Sequence, residues 1–265
     1  MAAPNEITPK KLLRLIGTPD SPVIVDICLN EDRADDPYLI PGSIRKSHKN
    51  LDQIISLGSD KRIVIVCQKG LKLSMGLASL LRAKGINAEF LEGGMYAWRD
   101  TSDAPRIPIS ALPNTHLWVT RHRPKIDRVA TPWLIRRFID PNAEFLFVSP
   151  DQVVNVAERY DAIPFDIPDV TFSHHQGRCT FDAVLNYFEL RTEALDSLSK
   201  VVRAADTGTD TPTQAAGLLA VSVGLSRMYK DDHQQLEAAL PLYDALYRWA
   251  RDGQSETHHS FGGKS

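Results

Sequence analysis

Cysteine is scarce in this sequence, with only Cys28, Cys67 and Cys179 among 265 residues. An odd number without metal-finger spacing argues against a secreted disulfide scaffold and for a reducing compartment. No apolar stretch approaches the ~20 residues that cross a bilayer. The opening "MAAPNEITPKKLL" has no signal-peptide apolar core, so a cytoplasmic location without a membrane partner is expected. Charge of one sign is missing too. Set against 33 acidic residues, 31 basic ones leave a formal net charge of -2, which gives no field to draw the whole protein to nucleic acid or anionic lipid. No helix-turn-helix or finger signature for reading DNA is present, and no internal repeat links the two halves. What remains is a chain with 43% hydrophobic residues, enough for one large domain or two ordinary ones.

Up to about residue 104 the pattern alternates in α/β fashion. "TPKKLLRLI" reads as a helix capped by Thr8 with Pro9 at its first position, "PVIVDIC" as a strand, "IPGSI" as a turn and "NLDQIISL" as an amphipathic helix. A buried strand ending at Cys67, its helix, the strand "AEFLEGG" and the helical "MYAWRD" follow. "SDAPRIPISALPN" holds three prolines and cannot continue a helix, so residues 105–114 read as a linker. From 115 to 252 two strands, "THLWVTRH" and "AEFLFVS", precede or separate helices, and the chain after "AIPFDIPDVTFSHHQGRC" is mainly helical. Pro241 is expected to kink or split the last helix. The polar tail 253–265 is expected to be disordered, with His258 and His259 too isolated to ligate a metal.

Cys67 stands where the β-branched run Ile63 to Val66 stops and a helix begins, its apolar face formed by Leu73, Leu77, Ala78, Leu80 and Leu81. Free N–H groups and the positive end of a helix dipole stabilise a thiolate. Gly70 permits the positive φ of an anion-binding nest, and Lys69 and Lys72 add charge. The alternative is a buried strand thiol, since free cysteine is among the most buried residue types.

A strand ending in Asp26, the turn "IPGSI", the strand into "CQKGLKLS" and the closing "LEGGMYAW" together resemble a single rhodanese domain. The resemblance implies a sulfurtransferase in which Cys67 takes sulfane sulfur as a persulfide. The loop Gln68, Lys69, Gly70, Leu71, Lys72 and Leu73 would cradle it, Asp26 would give structural support, and no cofactor would be required. The partners implied are a small-molecule sulfur donor such as thiosulfate and a thiol or cyanide acceptor. Lys72 stands where the family often has Arg, Leu73 where Ser is frequent, and Cys28 where Arg usually follows the strand Asp, so a regular salt bridge there is expected to be absent. Leu73 also occupies the sixth position after the nucleophile, where a cysteine phosphatase needs Arg to clamp phosphate.

The runs "WVTRHRPKIDRVATPWLIRRFIDPNAEFLFV", "AIPFDIP", "HHQGRCTFD", "VRAADTG" and "LYDALYRWAR" resemble the carboxy-terminal domain of the chromate-resistance protein B family. From the residues themselves, Arg121, Arg123, Lys125 and Arg128 are either an oxyanion site, suited to sulfate, chromate or phosphate, or a solvated basic face. His174, His175, Cys179, Asp127 and Asp206 are candidate ligands for a divalent metal; the alternative is that the segment matches no metal motif and Thr180 with Asp182 simply caps the helix. The aromatic residues, Trp133 and Tyr247 among them, are expected in the core.

The fold expected is an α/β rhodanese-like parallel-sheet domain followed by a mainly helical α+β domain. The function expected is sulfur transfer through Cys67, the second domain holding a metal or oxyanion. The alternative is a chromate-, sulfur- or redox-responsive sensor or transcriptional regulator with a non-catalytic rhodanese module. Oligomeric state is not encoded in any feature above.

Overall fold

A computed structural model describes residues 5–58, 61–208 and 211–256. In the first half the elements run β1 (Glu6–Ile7), α1 (Pro9–Leu13), β2 (Val23–Asp26), α2 (Asn30–Asp35), β3 (Tyr38–Leu39), β4 (Ile44–Arg45), α3 (Leu51–Leu57), β5 (Ile63–Val66), α4 (Lys72–Ala83), β6 (Ala88–Leu91), α5 (Gly94–Arg99) and β7 (Ile107–Pro108). Thr8 caps α1 as expected, accepting from the Lys11 amide at 3.2 Å with Pro9 in the first turn. The five-stranded sheet has the order β1-β6-β5-β2-β4, and all its pairs are parallel. β5 is buried on both faces, as its unbroken apolar run requires. From β2 the chain steps to β4 on one side and then to β5 on the other. The topological switch therefore lies between β2 and β5, and ligands of open parallel sheets sit beyond the strand ends at such a point. Asp26 and Val66 are in register there, so Cys67 emerges at that crevice.

The segment read as a linker is held in place. Leu39 pairs with Ile107 in an antiparallel β3–β7 ribbon, the Trp98 indole donates to the Pro105 carbonyl at 3.0 Å, and Arg106 bonds Asp36 at 2.9 Å. Its prolines exclude an α-helix but neither an edge strand nor the 3₁₀ turn Ile109–Ala111.

The second half runs β8 (Leu117–Arg121), α6 (Asp127–Leu134), β9 (Glu144–Val148), α7 (Val153–Tyr160), β10 (Ile163–Pro164), α8 (Thr180–Tyr187), α9 (Glu193–Thr207), α10 (Gln214–Met228) and α11 (Asp232–Arg248). A parallel sheet of order β10-β8-β9 backs the helices. α11 passes through Pro241 unbroken. Pro241 faces solvent while Leu236, Leu240, Tyr243 and Tyr247 are buried, so water can satisfy the carbonyl that the ring leaves unbonded. Gly253 closes a π-helical turn, Trp249–Gly253, and Gln254 bonds the Ala250 carbonyl at 2.6 Å and Ser197 at 3.1 Å. The chain is thus fixed to that point, not free from residue 253, while His258 and His259 lie outside the described residues.

One apolar core spans both halves. Its aromatic centre packs Trp133, Phe138 and Tyr247 with centroids 5.4 to 5.7 Å apart. Gly17 sits against it at φ 76°, where a Cβ would fall 2.3 Å from the Phe138 ring, and the Gly42 amide donates to the Phe138 carbonyl at 2.6 Å. Leu80, expected on the apolar face of α4, is exposed, and Ser74 is buried instead.

Candidate functional sites

Cys67 is buried at the floor of a 470 Å³ cavity whose wall is the loop Gln68 to Leu73, with Leu29 and Asp32 opposite. Its Sγ lies 3.2 Å from the Ser74 hydroxyl, which itself lies 3.2 Å from the Leu71 carbonyl. Gly70 turns the loop at φ 65°. The motif "LEGG" lies directly beneath it. A Cβ on Gly94 would lie 2.1 Å from the Cys67 carbonyl oxygen and 2.4 Å from the Gly70 nitrogen, and one on Gly70 would lie 2.6 Å from the Gly93 and Gly94 nitrogens. That close approach lets the amides of Met95 and Tyr96 donate to the carbonyls of Cys67 and Gln68, both at 3.1 Å. The α5 N-terminus thereby uses its unpaired N–H groups to hold the loop from below, leaving the α4 N-terminus facing the cavity.

Gln68 lines the same cavity and is buried, and among the described residues its side-chain NH₂ has no partner. An unpaired buried donor costs about 1–3 kcal/mol, which a bound acceptor atom would offset. Lys69, Leu71 and Lys72 are exposed at the rim, and Leu73 is half-buried against the core under α4. The position a phosphatase fills with Arg therefore holds an aliphatic side chain committed to packing.

The salt bridge expected to be missing at Asp26 is present. Arg33, from α2, pairs with Asp26 in a buried contact, and Asp26 also accepts the Cys28 amide at 2.8 Å. The guanidinium reaches back from the next helix and does not come from position 28, two residues after Asp26. Cys28 itself is buried, and burial together with the Asp26 charge holds its thiol well above the usual range.

The second site lies among the residues read as metal ligands. Residues 175–178 form a tight hairpin in which His175 and Arg178 exchange backbone bonds, with Gln176 and Gly177 both at positive φ. This matches the favoured two-residue turn. It delivers His174 into a cluster of carboxylates, with Nε2 at 3.2 Å from Asp127, 3.1 Å from Asp166 and 3.4 Å from Asp206. Asp127, the first residue of α6, is 1% exposed and accepts the Thr180 and Phe181 amides at the start of α8, at 2.7 and 2.9 Å. Asp166 is held by Arg121 at 2.8 Å and Arg128 at 3.0 Å. The hydrogen bond to Asp127 and the surrounding carboxylates raise His174 to about 9, while burial and then the Asp127 charge raise Asp206 to about 6.

Two of the sequence candidates point elsewhere. His175 is exposed on its turn. Cys179 is fully buried, its thiol raised by burial and by the charges of Asp127 and Asp182, and its amide is capped by Asp182 at 3.1 Å. Asp182 is in turn clamped by Arg203 at 2.8 and 2.9 Å. The four basic residues read as an oxyanion site do not converge. Arg121 and Arg128 meet at Asp166, but Arg123 turns to the carbonyls of Ser226 and Tyr229 at the end of α10, and Lys125 is exposed. Successive basic residues at a strand end leave in different directions, and two of these are neutralised by a carboxylate. Asp166 is the residue that sequence reasoning passed over. It sits in "AIPFDIP" at φ 55°, and a buried aspartate between two prolines carries no spacing signal.

Comparison with known proteins adds the following. The family model "ChrB, C-terminal domain" matches residues 118–250, and the "Rhodanese-like domain" model matches residues 8–101. Protein ChrB of Cupriavidus metallidurans is 35% identical over 131 residues, which is 49% of this chain and 39% of that protein, so the chain spans well under half the length of that relative. Among solved structures, a rhodanese-like domain protein from Staphylococcus aureus is 29% identical over 36% of this chain and 90% of its own, with a TM-score of 0.31. A thiosulfate sulfurtransferase from Pseudomonas aeruginosa is 26% identical over 38% of this chain and 19% of its own, also with a TM-score of 0.31.

Proposed function

Since the chain belongs to the ChrB C-terminal-domain family and carries a rhodanese-like domain ahead of that domain, we propose that it is a sulfurtransferase working through Cys67. The observation that carries this reading is Cys67 Sγ at the floor of a cavity walled by a loop that two packed glycines brace from beneath. With thiosulfate as donor, the Cys67 thiolate attacks the sulfane sulfur, a new S–S bond forms, and sulfite leaves with the electron pair of the old one. Cyanide then attacks the outer sulfur, departs as thiocyanate, and returns the thiolate. A thiolate acceptor takes the same sulfur as its own persulfide. The persulfide is an anion in a confined space, and donors aimed at one point stabilise such a charge. In this reading the Gln68 NH₂, buried without a partner among the described residues, and the α4 N-terminus supply those donors.

The cavity also bears on the donor. Lys72 supplies a point charge where a forked guanidinium would give two bonds, and exposed Leu29 and Leu71 make the rim partly apolar. Donors with an organic portion, such as mercaptopyruvate, fit this rim better than a bare dianion. The test is cyanide-acceptor turnover with thiosulfate and mercaptopyruvate for the wild type and Cys67→Ala. Turnover confined to the wild type supports the reading. Absence of turnover with both donors, together with ligand-dependent binding of a DNA or protein partner, would favour a regulator with a non-catalytic rhodanese module.

A further inference from the structure

His174 presents one Nε2 atom to three carboxylates, brought together from α6, the β10–α8 segment and α9. A single N–H can donate well to one oxygen, and here oxygens of Asp166, Asp127 and Asp206 lie at 3.1, 3.2 and 3.4 Å. More acceptors converge than one proton serves. The spacing has another reading. Nitrogen and oxygen ligands held about 2.1 Å from a metal lie about 3.0 Å apart along an octahedral edge and about 3.4 Å along a tetrahedral one. Ligand atoms of Asp127, His174 and Asp206 all lie within 4.8 Å of one another. We propose that Asp127, His174 and Asp206 bind one divalent first-row transition-metal ion.

The surroundings fit such a site. Ligating carboxylates are generally fixed by outer hydrogen bonds. Asp127 is fixed by two amides of α8, and the Thr131 hydroxyl lies 3.4 Å from the oxygen that accepts the Phe181 amide. Asp166 is turned toward His174 by Arg121, Arg128 and the Thr180 hydroxyl, the last at 3.3 Å. Asp166 stands outside the ligand set, since its charge is already met by two arginines. Imidazole with carboxylates and no thiolate suits manganese, iron(II) or zinc, not copper(I). Three protein ligands leave coordination positions open, and they open outward, since the His174 side chain is 44% exposed.

The full chain, stripped with chelator, is dialysed against Mn²⁺ or Zn²⁺ and bound metal is counted by elemental analysis, for the wild type, His174→Gln, Asp206→Asn and His175→Gln. The expected result is one ion per chain for the wild type and His175→Gln, with affinity at least ~10-fold weaker in the other two. Pulsed electron paramagnetic resonance of the Mn²⁺-loaded wild type should show coupling to an imidazole nitrogen that changes on ¹⁵N-histidine labelling. That readout holds even if a variant fails to fold. No stoichiometric binding of either ion by the folded wild type overturns the proposal and leaves an imidazolium–carboxylate cluster. So do unchanged affinity in folded His174→Gln and Asp206→Asn, or Mn²⁺ without histidine coupling.

Discussion

Replacing Gly94 with alanine adds one methyl group beneath the Cys67 loop, and the structure specifies what it meets. The new Cβ would lie 2.1 Å from the Cys67 carbonyl oxygen, 2.4 Å from the Gly70 nitrogen and 2.8 Å from the Gln68 carbonyl oxygen. All three are backbone atoms, so no side chain can rotate aside. Gly94 also sits at φ 60°, a conformation that costs an L-residue roughly 1–2 kcal/mol, and overpacking a tight site adds about 1–3 kcal/mol. Gly94→Ala should therefore destabilise the protein by about 2–5 kcal/mol and move the loop that walls the Cys67 cavity. Gly76, inside α4, is the matched control. Among the described residues a Cβ there meets nothing within 4 Å, so Gly76→Ala should stabilise by about 0.5–1 kcal/mol. Urea denaturation read by tryptophan fluorescence measures both, and sulfur uptake by each variant measures the loop. If Gly94→Ala lies within ~0.5 kcal/mol of the wild type with unchanged sulfur uptake, the glycine pair does not brace the loop and the account of that motif is wrong.

Other consequences are as direct. Arg33→Ala strips the partner from buried Asp26 and should cost about 3–5 kcal/mol in the same denaturation experiment, with an unaltered midpoint contradicting the pairing. Gln68→Leu removes an unpaired buried NH₂, so it should leave stability unchanged or raised while slowing sulfur transfer about 10-fold, a loss of ~1.4 kcal/mol of transition-state binding. Equal rates would show that Gln68 does not face the reacting sulfur. Burial first, then neighbouring aspartates, raise the Cys28 and Cys179 thiols, so both stay protonated at pH 8. Iodoacetamide at that pH should label Cys67 alone in the folded protein and all three cysteines in urea, as peptide mapping would show.

The parts of the molecule that were legible in the sequence are those in which local chemistry and tertiary placement agree. The unbroken run Ile63 to Val66 can only be a strand covered on both faces, so Cys67 had to sit where that strand meets α4. Thr8 and Pro9 mark a helix start by backbone hydrogen bonding alone. In the second half, Asp127, His174 and Asp206 were legible as ligand types, but only the fold shows that they converge while His175 and Cys179 do not. The turn "HQGR" decides which histidine faces inward, and α8 claims the Cys179 region for capping. Asp166 and Arg33 were hidden because Asp166 is held by two arginines from the far-off β8–α6 segment, and Arg33 acts through a helix folding back over a strand. Arg123 misled because adjacency along a strand end says nothing of direction, and its guanidinium is spent on carbonyls more than 100 positions away. β7 and the unbroken α11 have a common cause. Proline forbids a hydrogen bond without forbidding an element whose exposed side faces water.

The central claim is that Cys67 carries sulfur, and intact-protein mass spectrometry tests it most directly. Wild type and Cys67→Ala are incubated with thiosulfate, mercaptopyruvate or a low-molecular-weight persulfide, desalted and weighed. The account predicts a gain of one sulfur atom in the wild type, localised to the peptide containing Cys67 and removed by cyanide, with no gain in Cys67→Ala. No adduct on the wild type with any donor, or an equal adduct on Cys67→Ala, would contradict it.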